Sequence, residues 1–429
     1  MTPTSVRTEA IAGVTTFFTM AYIVIVNPSI LSTPGTGIAF SGALTATVLI
    51  CFTMTLLMGL YAKLPFAVAP GMGINAFFTF TIILTQGVWW QTALGIVFWA
   101  GVLFLLISIT PIRETIAKAI PPELRIGTAT GIGIFLTFIG LKNAGVIVSD
   151  PVTFVKLGQL NETTLIAILG MVVILYLMIR RSSLAFLAGM FLITVIALLR
   201  GHITAPEQIV SAPDFHTVFL KLDILGALKL SLLPAIIAIL FTDLFDSIST
   251  FMGVSHASGL LDEHGNPRNL RQGLVVDSVA TFGAGLAGTS SGTAYIESIA
   301  GINVGGRTGL TSVFTALCFL PCFFLAPLAG MVPPYATAPV LVLVGAAMFK
   351  SVAEINFGKI EEGLPAFLTI ILIPLTFSIT QGILWGFIAH VGLYLIVGRR
   401  KEIHPVMYVL ALIAVGLLLL EHSTLWKGL

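Results

Sequence analysis

Apolar runs of about 20 residues recur along nearly the whole chain, and a run of that length crosses a bilayer as a helix. Only 9% of the residues are charged and 57% are hydrophobic, whereas soluble domains have roughly 25% charged residues. The chain cannot cover a water-facing surface. No ~10-residue alternation typical of barrel strands is seen. We therefore predict an all-α polytopic membrane protein.

The apolar runs form two series of seven, separated by a polar stretch at 200–228. An odd number of spans in each half inserts the halves in opposite orientations, so we predict about 14 spans as 7+7 inverted repeats. A further apolar run at 406–420 is left open as a span or an interfacial helix. The predicted spans are 11–32, 40–60, 65–86, 92–109, 122–142, 163–180, 183–199, 229–253, 268–288, 290–304, 309–330, 335–351, 364–380 and 382–398.

The third and tenth spans are both interrupted. Span 65–86 opens with 65-PFAVAPGMGIN-75, and span 290–304 is short and begins with SSGTAY. Paired interruptions at matching positions of two halves indicate a transporter's binding site near the bilayer midplane. The alternative is that these residues only pack helices, as Gly301/Gly305 and Gly127/Gly131 do in that interpretation.

Positive charges favour one side of the membrane. With the N-terminus in the cytoplasm, the connections at 33–39, 87–91, 331–334 and 381 are outside and contain no lysine or arginine. This is the positive-inside bias, and it predicts a cytoplasmic N-terminus. The cations of the inner connections are Lys63, Arg113, Lys118, Arg125, Arg180, Arg181, Arg268, Arg271, Arg307, Lys350, Lys359, Arg399, Arg400 and Lys401.

Four acids lie well inside the predicted spans: Asp243, Asp246, Asp277 and Glu297. An ionised carboxylate in hydrocarbon costs at least ~2.5 kcal/mol, and the same spans contain no lysine or arginine away from their ends. We expect these acids to be protonated, solvated in a cavity or occupied by a ligand. Asp243 and Asp246 share a helix face, where two carboxylates cannot easily both ionise. Structural hydrogen bonding is the alternative for Asp246 and Asp277.

Asn75 follows the interruption of the third span, and its amide offers two donors and an acceptor. It could hold a polar ring or cap the half-helix that begins there. His390 lies deep in a span, where packing is the preferred interpretation. Cys318 and Cys322 are one helical turn apart, and without further cysteines or histidines nearby they indicate packing; no metal site is predicted.

Three motifs in order resemble the AzgA-like purine permeases of the nucleobase/ascorbate transporter superfamily. They are GMGINAFF, FTDLFDSISTFMGVSHASGLLDE and GTSSGTAYIESIAGINVGGRTGLT, and the resemblance covers roughly residues 8–400. It implies fourteen spans divided into a core and a gate domain, with the third and tenth spans each pairing a short strand with a half-helix. The expected domain parts are core 1–110, gate 111–228, core 229–332, gate 333–400 and a C-terminal apolar segment 401–429.

The resemblance implies uptake of hypoxanthine, guanine or adenine by proton symport at the plasma membrane. By motif position, Asn75, Asp243 and Glu297 match the family's substrate-site residues, and Asp246 matches a second important acid. Phe77 or Tyr295 offers aromatic contact. The expected proton-coupling residues are Asp243, Asp246, Glu297 and Asp277.

We expect no cofactor beyond a proton gradient and no enzymatic activity. The expected partners are a purine nucleobase, protons and the lipid bilayer, without nucleic acid; a homodimer is left open. One alternative is a sulfate- or bicarbonate-type anion carrier, which should place half-helix N-termini without acids against the ion. A second is an intramembrane enzyme, for which no HExxH or GxSxG motif is present. A third is a passive channel.

Overall fold

The computed structural model describes residues 5–110, 119–261 and 267–422. Two of the predicted inner cations, Arg113 and Lys118, lie outside the described residues. The predicted domain boundary between residues 110 and 111 lies at the edge of a described range. The helices in chain order are α1 Val6–Met20, α2 Ile23–Leu31, α3 Phe40–Leu57, α4 Met72–Ala76, α5 Trp90–Ile109, α6 Pro122–Asn143, α7 Glu162–Ile179, α8 Ala185–Leu199, α9 Leu233–Ser258, α10 Leu270–Ala287, α11 Ser298–Val304, α12 Gly309–Phe319, α13 Ala326–Gly330, α14 Pro334–Phe349, α15 Ile360–Thr376, α16 Ile379–Ile396 and α17 Pro405–His422.

Within the described residues, eight helical stretches are long and apolar enough to cross a membrane. Shorter apolar helical stretches occupy Met72–Thr85, Ala185–Leu199, Gly309–Phe324 and Pro405–Leu419. The prediction of a helical polytopic membrane protein is confirmed. The 406–420 run is helical as α17, which packs against α16.

The two predicted interruptions are confirmed as breaks in helical structure. The strand β1, Val68–Pro70, precedes α4, and the strand β4, Gly292–Ala294, precedes α11. The two strands pair antiparallel, with Val68 opposite Ala294 and Pro70 opposite Gly292. Chain from both halves therefore meets at this two-stranded sheet.

The first span differs from the single helix predicted at 11–32, because α1 and α2 are separated at residues 21–22. The backbone N–H groups of Val24 and Ile25 donate to carbonyl oxygens three residues earlier, those of Ala21 and Tyr22, which interrupts the regular α-helical pattern. The break places Tyr22, which is fully buried, at the junction of the two helices.

The turn between α15 and α16 lies at residues 377–378 rather than at the predicted 381. Phe377 has a left-handed backbone with φ 52°, and the Ser378 hydroxyl accepts the backbone N–H of Gln381 at 3.3 Å. A serine at this position caps the following helix, so α16 begins earlier than hydropathy indicates.

A hairpin between α6 and α7 was not predicted from sequence. Its strands are β2, Ile147–Asp150, and β3, Phe154–Leu157. The Asp150 carboxylate accepts the backbone N–H of Thr153, pairs with Lys156 at 2.9 Å and accepts the N–H of Val152. These bonds stabilise the ionised carboxylate and lower the pKa of Asp150 to about 2.

Glycines allow several helices to approach closely. A Cβ at Gly301 of α11 would lie 2.5 Å from the carbonyl oxygen of Ala12 on α1, and one at Gly131 of α6 would lie 2.7 Å from Ile373 on α15. The helix-packing interpretation is therefore confirmed for these two glycines. It does not account for the interrupted segments, where strands replace helix.

Candidate functional site

The segment 289–297, which contains β4, connects most of the predicted site residues. The backbone of Gly71 donates to the carbonyl oxygen of Ser291 at 2.8 Å, and the backbone of Tyr295 donates to that of Ala67 at 2.9 Å. These bonds extend the pairing of β1 and β4 at both ends. The helices α4 and α11 therefore begin at fixed positions on either side of the sheet.

Glu297 immediately precedes α11 and is partly accessible. The hydroxyl of Tyr22 donates to Oε1 of Glu297 at 2.7 Å, and the Tyr22 ring lies 4.9 Å from that of Phe186 on α8. One carboxylate oxygen therefore has a fixed donor. Because Glu297 is partly accessible, its carboxylate can also accept a hydrogen bond from a ligand.

Asn75 of α4 is fully buried and reaches the same segment through a second asparagine. Its Nδ2 donates to Oδ1 of Asn27 at 3.0 Å, and Nδ2 of Asn27 donates to the Thr289 hydroxyl at 2.9 Å. Within the described chain, Oδ1 of Asn75 has no hydrogen-bond partner. The predicted capping role is not seen, because α4 has no side-chain cap.

Asp243 of α9 is fully buried. Its Oδ2 accepts the hydroxyl of Thr281, which also lies 3.1 Å from the carbonyl oxygen of Gly292 in β4. Its Oδ1 has no partner among the described residues. Because buried polar atoms are usually hydrogen-bonded, this oxygen is available to a ligand or a proton.

Asp277 and Asp246 have different surroundings. Oδ2 of Asp277 accepts the backbone N–H of Ala294 at 3.1 Å, so this acid holds β4 against α10, as the structural alternative predicted. Asp246, one turn beyond Asp243, is partly exposed to a small cavity between α9 and α6. The two aspartates of α9 therefore lie in different surroundings although they share a helix face.

The two predicted aromatic residues are both buried. Phe77 begins the π-helical stretch Phe77–Thr85 and is 1% exposed. Tyr295 is 6% exposed, and its hydroxyl donates to the carbonyl oxygen of Pro70 at 2.5 Å. Tyr295 therefore links β4 to β1, and aromatic contact with a ligand stays a prediction for both residues.

Sequence reasoning missed Tyr22, Asn27 and Thr281, which position Glu297, Asn75 and Asp243. Asn27 could have been found by the rule that identified the acids, because it is a polar side chain within an apolar span. Tyr22 and Thr281 have no such signal, because hydroxyl side chains are common in membrane helices.

The fold is similar to that of solved membrane transporters. The transmembrane domain of a cyanobacterium bicarbonate transporter, BicA, superposes with a TM-score of 0.65 over 89% of this chain and 97% of that chain, at 17% identity. SLC26A9 superposes with a TM-score of 0.64 over 92% of this chain and 65% of that chain, at 8% identity. These likenesses define the fold as that of a polytopic helical membrane protein.

The chain belongs to the nucleobase/ascorbate transporter family, since residues 7–385 match the family model described as the Permease family. It is 42% identical to the adenine permease AdeP of Escherichia coli, over 96% of this chain and 92% of that protein. It is 38% identical to the guanine/hypoxanthine permease PbuO of Bacillus subtilis, over 96% of each chain. The family consists of transporters and not enzymes.

Proposed function

We propose that this chain takes up purine nucleobases by proton symport, with the base bound beside the β1–β4 sheet. The observation that supports this most directly is the convergence of Asn75, Asp243 and Glu297 on the segment 289–297. Relatives named for adenine and for guanine and hypoxanthine support a purine substrate.

The chemistry of the site suits a neutral purine. Hypoxanthine presents ring N–H donors and a carbonyl acceptor; Glu297 and Asp243 supply acceptors, and Oδ1 of Asn75 supplies another. Hydrogen bonds to ionised groups are the strong ones. A site that reads N–H groups also rejects analogues that lack them.

An anion carrier is disfavoured although the fold is shared with a bicarbonate transporter. Carboxylates at the site repel a bicarbonate or sulfate ion. Proteins that share a fold can differ in function, which depends on the residues of the site.

Alternating access would follow from an inverted-repeat architecture with a core and a gate domain. Fourteen spans arranged as 7+7 inverted repeats account for the meeting of strands from the two halves at one sheet. The core parts would be 1–110 and 229–332, and the gate parts would be 111–228 and 333–400. The packing of α6 against α14 and α15, and of α1 against α11 and α12, supports two helical groups. The N-terminus would be cytoplasmic in the plasma membrane.

Coupling is tested in proteoliposomes containing the purified protein. We expect an inward proton gradient to drive accumulation of labelled adenine or hypoxanthine, and a protonophore to abolish it, because the buried acids have no basic partner within their own spans. Accumulation that follows a sodium gradient and ignores the proton gradient would contradict proton symport. Asp243, Asp246, Glu297 and Asp277 are the proposed coupling residues.

The role of Asn75 is tested by Asn75→Ala, with Asn356→Ala on an exposed connection as the matched control. Removing one neutral hydrogen bond should weaken binding about 3- to 10-fold and change which purines compete for uptake. The control should leave the competition profile as in the wild type. An unchanged competition profile in Asn75→Ala would mean that Asn75 only orients Asn27 and does not contact the purine.

A further inference from the structure

A small cavity of about 40 Å³ lies where α4, α6, α9 and α14 meet. Asp246 of α9 lines it on one side and Arg125 of α6 on the other. A water molecule needs about 10–15 Å³ of such volume, so the cavity can hold a few waters and no purine. It adjoins the proposed substrate site, because its lining includes Ile74 and Thr242, the chain neighbours of Asn75 and Asp243.

Arg125 lies in the first turn of α6. Its Nε is buried and has no hydrogen-bond partner among the described residues. Arg125 as a whole is partly buried, and a buried N–H group of this kind normally has a hydrogen-bond partner. The acid of the same turn, Glu123, acts on Arg125 electrostatically, and its Oε1 lies 3.5 Å from Nδ1 of His390 on α16.

Asp246 lacks a partner of opposite charge in this conformation. Its carboxylate accepts no hydrogen bond from any described residue, and no described Arg, Lys or His nitrogen lies within 4.0 Å of it. Glu297 acts on Asp246 electrostatically, and Asp246 acts in turn on Asp243, Asp277 and Tyr295. All four are acids, and Arg125 is the cation that lines the cavity together with Asp246 among the described residues.

The helices around the cavity are already in close contact at one point. A Cβ at Gly73 of α4 would lie 2.3 Å from Ile132 on α6, so α4 and α6 cannot come closer there. Arg125 and Asp246 can therefore meet by a sliding of α6 along α4 and α9, or by a change of side-chain rotamer, and not by further compression.

We propose that Arg125 is a positioning residue for transport, which forms an ion pair with Asp246 across the α6–α9 interface in one stage of the cycle. The pair forms when Asp246 is ionised and is lost when Asp246 takes up a proton. Proton occupancy at Asp246 would then determine whether α6 is held against α9. This inference rests on the proposed function and adds to it a residue on the opposite side of the interface from the acids.

The test compares two kinds of transport by Arg125→Gln in proteoliposomes. Net uptake driven by a proton gradient should fall about tenfold, a typical size for coupling between two sites. Exchange of labelled for unlabelled purine at equal pH should change much less, because it needs no net proton movement. Arg125→Lys should keep most of the net uptake, since it retains the charge.

Lys142→Gln, at the other end of α6, is the matched control and should behave as the wild type. The double variant Arg125→Gln/Asp246→Asn should be no worse than the more impaired single variant. Equal net uptake in Arg125→Gln and the wild type, or equal losses of exchange and net uptake with a lowered Tm, would overturn this inference alone. A wild-type protein that takes up no purine would refute the proposed function and this inference with it.

Discussion

We expect Glu297→Gln to insert and fold but to lose purine binding by about 30- to 1,000-fold. One carboxylate oxygen of Glu297 accepts the Tyr22 hydroxyl, and a glutamine carbonyl can still do so. The other oxygen becomes an NH₂ group, which would face a purine N–H donor to donor. Losing a charged hydrogen bond and burying a mismatched donor costs roughly 2–4 kcal/mol. Calorimetry of purified protein with adenine, guanine and hypoxanthine measures the effect.

Glu9→Gln is the matched control for this prediction. Glu9 of α1 is 1% exposed and accepts the backbone N–H of Arg307 and the hydroxyl of Thr311, so it joins α1 to the chain before α12. We expect its substitution to lower Tm without a comparable loss of purine affinity. Near-normal affinity in Glu297→Gln would mean that this carboxylate is part of the scaffold only.

We expect Asp243→Asn to reduce proton-driven accumulation of purine to the level of empty liposomes. The fully buried carboxyl of Asp243 is held on one oxygen by Thr281 and has the other oxygen unpartnered among the described residues. An asparagine cannot exchange a proton, so the coupling step is lost. Loss of a charged acceptor should also weaken purine binding about 10- to 100-fold.

The measurement is uptake of labelled purine at several imposed pH gradients. Asp150→Asn, in the β2–β3 hairpin, controls for the loss of a carboxylate outside the site and should accumulate purine like the wild type. If Asp243→Asn still accumulates purine in proportion to the pH gradient, Asp243 is not a coupling residue, and Asp246, Asp277 and Glu297 remain the candidates.

Hydropathy and local composition were sufficient to predict the class of fold and the breaks in the third and tenth spans, but not the break between α1 and α2. Long apolar runs require helices in a bilayer, and the residues around Pro70 and Gly292 are poor helix formers. The family resemblance implied a short strand in each of these two spans, but the pairing of β1 with β4, which joins residues more than two hundred positions apart, was not predicted. The breaks in these two spans could be predicted because helix disruption is a local property.

The contacts that orient the site residues could not be predicted in the same way. Tyr22 meets Glu297, Asn27 meets Asn75 and Arg125 faces Asp246 only because separate helices pack together. The sequence contains no basic residue near the acids along their own spans, so a cation from α6 was not anticipated. Contacts between helices depend on three-dimensional packing, and they leave no periodic pattern in a single sequence.

Competition for uptake in proteoliposomes tests the central claim most directly. Labelled adenine and labelled hypoxanthine would be competed with unlabelled adenine, guanine, hypoxanthine, uracil, bicarbonate and sulfate. The arrangement of Asn75, Asp243 and Glu297 predicts that at least one labelled purine is taken up and that unlabelled purines displace it, whereas bicarbonate and sulfate do not. Absence of purine uptake, together with saturable uptake of labelled bicarbonate or sulfate, would contradict a purine site at the β1–β4 sheet.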